Sequence, residues 1–161
     1  MVIWIVGLSG VGKTFYANLI KKKIKKKSII VDGDQVRKFI TYDLGHSKSD
    51  RRKNSITIAD ICKFLEEQGF IVICPILSIF PTHQKKNRKK FSKYLQIYIE
   101  SKVEVLKERN DRKIYSKKKD IVGTDIKFPK PYKSDIIIKN NFLDTYEGNI
   151  KKIMKLINDN K

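Results

Sequence analysis

A chain of 161 residues has room for one compact domain with one substantial core, and is too short for two ordinary domains. Forty per cent hydrophobic residues, eight Phe among them, exclude a disordered polymer even though 33% of the residues are charged. The excess of 36 Lys and Arg over 17 Asp and Glu gives +19, a field that draws anions of any kind, whether nucleotides, nucleic acids or lipid headgroups. Its plainest reading is solvated lysine faces such as "KKKIKKK" (Lys21 to Lys27), and no nucleic-acid partner is expected.

The first predicted strand is "VIWIV". The apolar run around it, "MVIWIVGLSG", lacks a basic leader and is far short of the ~20 residues of a membrane span. A soluble, cytoplasmic protein without a membrane partner is therefore expected. "KTFYANLIKKKIKK" then predicts a helix with Phe15, Leu19, Ile20 and Ile24 inward. "SIIVDGD" (Ser28 to Asp34) predicts a buried parallel strand whose C-terminal tip delivers Asp32 and Asp34 to the edge where open α/β sheets bind ligands.

A short helix over "QVRKFI" leads to the loop "YDLGHSKSD", where Ser49 or Asp50 is the expected N-cap of a helix over "RRKNSITIADICKFLEEQ". Ile56, Ala59, Ile61, Phe64 and Leu65 are its expected buried stripe, and Gly69 ends it. "FIVICPIL" (Phe70 to Leu77), "YLQIYIE" and "SDIIIKN" read as three further strands. The closing helix turns Ile150, Ile153, Met154 and Ile157 inward. Strands alternating with helices predict an α/β fold, a five-stranded parallel sheet in a three-layer, single-domain phosphate-loop kinase architecture spanning 1–161. The stretch 110–134, "NDRKIYSKKKDIVGTDIKFPKPYKS", breaks every period and reads as a mobile basic lid. Cys62 and Cys74 sit among apolar neighbours without zinc or redox spacing, and are expected to be buried thiols.

"GLSGVGKT" matches G-x-x-x-x-G-K-[ST] in full. The backbone of Gly7, Ser9, Gly10, Val11 and Gly12 is expected to close around the phosphates of ATP, with Lys13 on the β- and γ-oxygens and Thr14 on Mg²⁺. A strand before the loop and a helix after it argue against a plain glycine turn. The loop alone covers GTPases, ATPases and small kinases, but the base-reading Asn-Lys-x-Asp of GTPases is missing.

Four blocks in order narrow the class: "GLSGVGKT"; "DGDQVR" (Asp32 to Arg37); "DLGHSKSDRRKN" (Asp43 to Asn54); and "LS" (Leu77, Ser78) closing the third strand. Together they resemble the adenylylsulfate kinases, in which Asp-Gly-Asp-x-x-Arg, Leu-Gly-Phe-Ser-x-x-Asp-Arg-x-x-Asn and Ile-Ser-Pro-Tyr-Arg follow the phosphate loop. Glu104, Arg109 and Tyr115 also stand in matching places. The resemblance covers nearly the whole chain. It implies transfer of the γ-phosphate of MgATP to the ribose 3′-hydroxyl of a small nucleotide, and it allows a homodimer.

Carried over residue by residue, Asp32 would orient or deprotonate the attacking hydroxyl and help Thr14 hold Mg²⁺. Asp34 and Arg37 would contact the acceptor nucleotide, and Arg51 and Asn54 its phosphate and sugar. Phosphoryl transfer needs mainly in-line positioning and cations on the equatorial oxygens, which suits such a set. The competing reading of Asp32 and Asp34 is a turn that caps a strand. Arg109 and Lys119 would reach over the bound nucleotides when the lid closes, unless they are solvated lid charge. Ser78 faces the acceptor in family members, and a satisfied strand-end hydroxyl is its alternative.

The departures fall on the acceptor side. Where the family clamps adenine between two phenylalanines, this chain has His46 and Ile121, and Phe80 and Pro81 replace the Tyr-Arg. A base stacked on an aromatic ring gains ~1–3 kcal/mol, so the acceptor base is expected to differ. The pattern is compatible with cytidine diphosphoramidate, the acceptor of a capsule-phosphoramidate relative within the family, and Phe128 or Tyr132 is a candidate substitute ring. Adenylyl sulfate is the alternative acceptor; a polynucleotide-end kinase and a non-catalytic nucleotide-binding module are the readings from other classes.

Overall fold

The computed structural model describes residues 1–41, 43–109, 115, 119–143 and 146–160. Eleven elements follow in order: β1 (Val2–Val6), α1 (Lys13–Lys23), β2 (Ser28–Ile30), α2 (Gly33–Phe39), α3 (Lys48–Glu67), β3 (Ile71–Ile76), α4 (Pro81–Lys90), β4 (Tyr94–Glu100), α5 (Val103–Arg109), β5 (Ile136–Lys139) and α6 (Glu147–Asp159). The strands form one five-stranded parallel sheet in the order β2-β3-β1-β4-β5. The central strand β1 is flanked by β3 in the register Val2↔Val72 and by β4 in the register Val2↔Tyr94.

The period-two alternation of a strand explains the layers. Ile3 and Ile5 pack with Ile20 of α1 and with Ile150, Ile153 and Ile157 of α6, whereas Val2, Trp4 and Val6 pack with Val36 of α2 and with Ile58 and Cys62 of α3. Both faces are covered, so β1 is apolar throughout. The three-layer α/β fold is as expected.

Several local expectations are corrected. Ile20 and Ile24 are buried as expected, but Phe15 is exposed and Leu19 only half-buried; Tyr16 and Ala17 complete the inner face of α1. The strand expected to run to Asp34 stops at Ile30; Asp32 is the N-cap of α2, and Asp34 lies in that helix's first turn. Ser47, not Ser49 or Asp50, caps α3, its Oγ accepting from the Asp50 backbone N–H. Ile56 and Phe64 are 50% and 60% exposed. The buried face of α3 is carried by Asn54, Ser55, Ile58, Ala59, Cys62 and Glu66, mostly small or polar residues that a search for apolar periodicity passes over. Glu66 is kept buried by an ion pair with the N-terminal ammonium at 3.1 Å and by the Ser92 hydroxyl, which donates to it at 2.8 Å.

Both cysteines are buried free thiols, and the pair meets inside the α3–β3 contact. Of the segment expected as a lid, 110–114 and 116–118 lie outside the described residues. The described remainder is anchored: Ile121 and Val122 are buried, and a turn is closed by the Gly123 N–H donating to the Ile126 carbonyl.

Candidate active site

The phosphate loop leaves β1 at the C-terminal edge of the sheet, at the centre strand from which the order runs outward in both directions. Gly7 has φ +156°, and a Cβ there would stand 2.5 Å from the Ile99 carbonyl oxygen, so only glycine lets the loop lie against β4. Gly12, at φ +97°, is the N-cap of α1, and the helix N-terminus therefore faces the loop's concavity. Asn140, directly after β5, donates from Nδ2 to the Val11 carbonyl at 3.0 Å, and the Tyr115 hydroxyl donates to the Ser9 carbonyl at 2.9 Å. These two supports lie far along the chain from the loop they hold.

Lys13 donates from Nζ to the Leu8 carbonyl at 2.7 Å, which folds the ammonium back over the loop. Thr14 follows in the first turn of α1, and its Oγ1 donates to Asp32 Oδ2 at 3.2 Å. The other carboxylate oxygen, Oδ1, accepts from the Asp34 backbone N–H at 2.9 Å. One carboxylate therefore caps α2 and faces the phosphate loop at once.

Around these residues lies a cleft of about 800 Å³, within the size range of small-molecule sites. Ser9, Gly10, Lys13, Thr14 and Asp32 form its donor end, and Asp34, Arg37, His46, Arg51, Asn54, Leu77, Lys119 and Ile121 stand along the remainder. Gly7, Val11 and Gly12 shape the loop from behind the wall. Two expected contacts lie elsewhere. Ser78 is buried and its Oγ accepts from Gln84 Nε2 at 3.1 Å, the satisfied strand-end hydroxyl; Arg109 stacks its guanidinium 4.1 Å from the centre of the Phe142 ring.

At the acceptor end the arginines first build the site itself. Arg37 donates to the carbonyls of Leu44 and Gly45. Arg51 spans two segments, donating from Nε to the His46 carbonyl at 2.8 Å and from a terminal nitrogen to the Asp120 carbonyl at 3.1 Å. Burial lowers the pKa of both, and the charge of Arg37 lowers that of Arg51 further. Two partly desolvated cations side by side are relieved by an incoming anion. Asn54 accepts from the Thr41 hydroxyl at 2.7 Å, which fixes its orientation on the cleft wall.

His46 and Ile121, expected at the positions of two family phenylalanines, both line the cleft, and among the described residues no Phe, Tyr or Trp does. Neither candidate substitute ring is there: Phe128 stacks on Tyr98 with centroids 6.1 Å apart, and Tyr132 is drawn toward Gln84, whose Oε1 accepts from its backbone N–H at 2.6 Å. Sequence reasoning missed Asn140 and Ser55. A polar residue immediately past an apolar strand was the available signal for Asn140; for Ser55 it was a small residue at i+4 from Arg51 on one helix face.

A cleft pairing a phosphate loop with the helix-capping carboxylate of Asp32 has the make-up of a phosphoryl-transfer enzyme of the small-kinase class. The Adenylylsulphate kinase family profile matches residues 1–139, and the chain belongs to that family. Among its relatives, the cytidine diphosphoramidate kinase of Campylobacter jejuni is 34% identical, over 96% of this chain and 94% of that one. The adenylyl-sulfate kinase of Clostridium kluyveri is 31% identical, over 98% and 83%. The APS kinase of Mycobacterium tuberculosis, solved with AMPPNP and APS, shares the fold with a TM-score of 0.87 at 22% identity, over 98% of this chain and 96% of that one. The protein is a nucleotide kinase.

Proposed function

We propose that the protein transfers the γ-phosphate of ATP to the ribose 3′-hydroxyl of cytidine diphosphoramidate. The observation that carries the choice of acceptor is the cleft wall: an intact phosphate loop faces an acceptor end where His46 and Ile121 stand in place of two large rings. An imidazole and an aliphatic side chain suit the smaller face of a pyrimidine better than that of adenine. The Campylobacter relative, matched over almost the full length of both chains, supports the same acceptor.

The chemistry follows from the donor end. Loop N–H groups and the α1 N-terminus hold the donor's phosphates, and the Lys13 ammonium lies where the transferring oxygens gather negative charge. Asp32 is fixed through Oδ1 by its capping bond, so that Oδ2 is presented to the cleft. There it accepts the hydrogen bond of the 3′-hydroxyl and aims that oxygen along the line of displacement. Thr14 and Asp32 form an oxygen pair suited to Mg²⁺, which binds through one or two protein oxygens plus substrate phosphates. When bound, Mg²⁺ neutralises phosphate charge. Among the described residues no cluster of three or more His, Cys, Asp or Glu offers a separate metal site.

A coupled ADP-release assay with cytidine diphosphoramidate and adenylyl sulfate side by side tests the reading. A higher kcat/KM for the cytidine acceptor is expected. Adenylyl sulfate is the second reading, favoured by the Clostridium relative, and a higher kcat/KM for it would replace the first.

A further inference from the structure

Arg51, Asn54 and Ser55 stand at i, i+3 and i+4 on α3, one face of a helix, and all three line the cleft. The first two are accounted for by the reading above; Ser55 is not. It is only 6% exposed, and its hydroxyl lies 3.1 Å from Nδ1 of His83, in the first turn of α4. The imidazole is held in turn. It packs at a tilt on the buried Phe80 with ring centroids 5.0 Å apart, and the Arg52 guanidinium lies 4.7 Å from the centre of the same phenyl ring.

Three parts of the cleft have proposed occupants: phosphate at the loop, the 3′-hydroxyl at Asp32, and the base between His46 and Ile121. We place the chain on the nucleotide's 5′ carbon past Arg37 and Arg51, against the wall of Asn54 and Ser55 beside the tip of β3. The terminal group of the acceptor meets a serine hydroxyl backed by an imidazole. Burial and then the charges of Arg52 and Lys86 lower the His83 pKa, so the ring is neutral at pH 7. A neutral imidazole with its proton on Nε2, the more stable tautomer in water, accepts at Nδ1. In that tautomer the Ser55 hydroxyl donates its hydrogen bond to Nδ1 and turns its oxygen lone pairs to the cleft. Such a surface suits an N–H donor. A terminus of oxygens alone, once ionised above its second pKa of about 6, offers it no proton.

We propose that Ser55 is a specificity-determining contact for the acceptor's terminal group, positioned by His83, and that the pair selects a nitrogen-bearing terminus over an all-oxygen one. This rests on the 3′-kinase reading above.

The test compares kcat/KM for cytidine diphosphoramidate and for cytidine 5′-diphosphate, which differ only in the terminal atom, in the wild type and in Ser55→Ala, His83→Phe and His83→Asn. One hydrogen bond lost without a substitute corresponds to about tenfold. The ratio of the two acceptors is expected to fall about tenfold in Ser55→Ala and in His83→Phe. It is expected to stay near wild type in His83→Asn, whose amide oxygen accepts near the position of Nδ1. An unchanged ratio in Ser55→Ala or His83→Phe, including an equal loss on both acceptors, overturns the assignment; so does a wild type with no preference between the two acceptors, which decides the question where a variant does not fold. A wild type that phosphorylates neither cytidine compound while turning over adenylyl sulfate overturns the acceptor reading, and this inference with it.

Discussion

At the donor end of the cleft, recognition is built from backbone: a glycine loop pressed on β4, a helix N-terminus, and carbonyls tied down by Asn140 and Tyr115. At the acceptor end it is built from long side chains that bridge separate segments, with Arg37 gripping the 44–45 carbonyls and Arg51 joining residue 46 to residue 120. The first construction tolerates little change, since a side chain at Gly7 would collide with the Ile99 carbonyl. The second changes specificity one side chain at a time. That contrast is what the proposed reading requires: a kept donor loop beside an acceptor end whose base-facing side chains, His46 and Ile121, can change.

The contrast can be broken at its strongest point first. Lys13→Ala is expected to lower kcat by at least about a thousandfold with an unchanged circular dichroism spectrum, because catalysis here is largely electrostatic. Near-normal turnover would remove the donor end from the mechanism.

Next is Asp32→Asn. Its amide oxygen preserves the cap of α2, so the protein should melt within a few degrees of wild type, while kcat falls about 10²–10⁴-fold with the loss of the hydroxyl's acceptor. A large fall in melting temperature with little change in kcat would make the carboxylate a cap alone.

A smaller effect is expected from His46→Phe, which restores one ring of the clamp. The KM for adenylyl sulfate should drop up to about tenfold, with the KM for ATP unmoved. An altered ATP constant would show that the two ends are not independent.

Glu66→Gln lies outside both ends and should leave turnover alone. Burial pushes the Glu66 carboxyl up, but its bonds to Ser92 and to the N-terminal ammonium outweigh this and carry it down to about 2 from an ordinary 4.5. A depressed carboxyl stabilises the fold fully above its unfolded value and loses that contribution as the pH falls from 4.5 through about 2. The contribution is on the order of 3 kcal/mol before solvent screening reduces it. Wild type should therefore lose melting temperature between pH 6 and pH 3 more steeply than Glu66→Gln; parallel curves would contradict the assignment.

What the sequence disclosed follows the same division. The sheet, the phosphate loop and the burial of Cys62 and Cys74 were legible because apolar runs, glycine spacing and local chemistry encode them directly. The face of α3 was not, because Asn54, Ser55 and Glu66 are buried by partners on other elements: Thr41, His83 and the N-terminus. Ser78 misled for the converse reason. It matched a motif, yet Gln84 from α4 takes up its hydroxyl. Residues whose roles depend on a distant partner are the ones a linear reading misplaces.

The central claim is that Asp32 directs one ribose oxygen at the phosphorus held beside Lys13. The most direct measurement is the position of the new phosphate, by proton-coupled ³¹P NMR of the product formed from cytidine diphosphoramidate and ATP. A monoester coupled to the ribose H3′ is the predicted result. A phosphate on the 2′-oxygen or on the terminal nitrogen would contradict it.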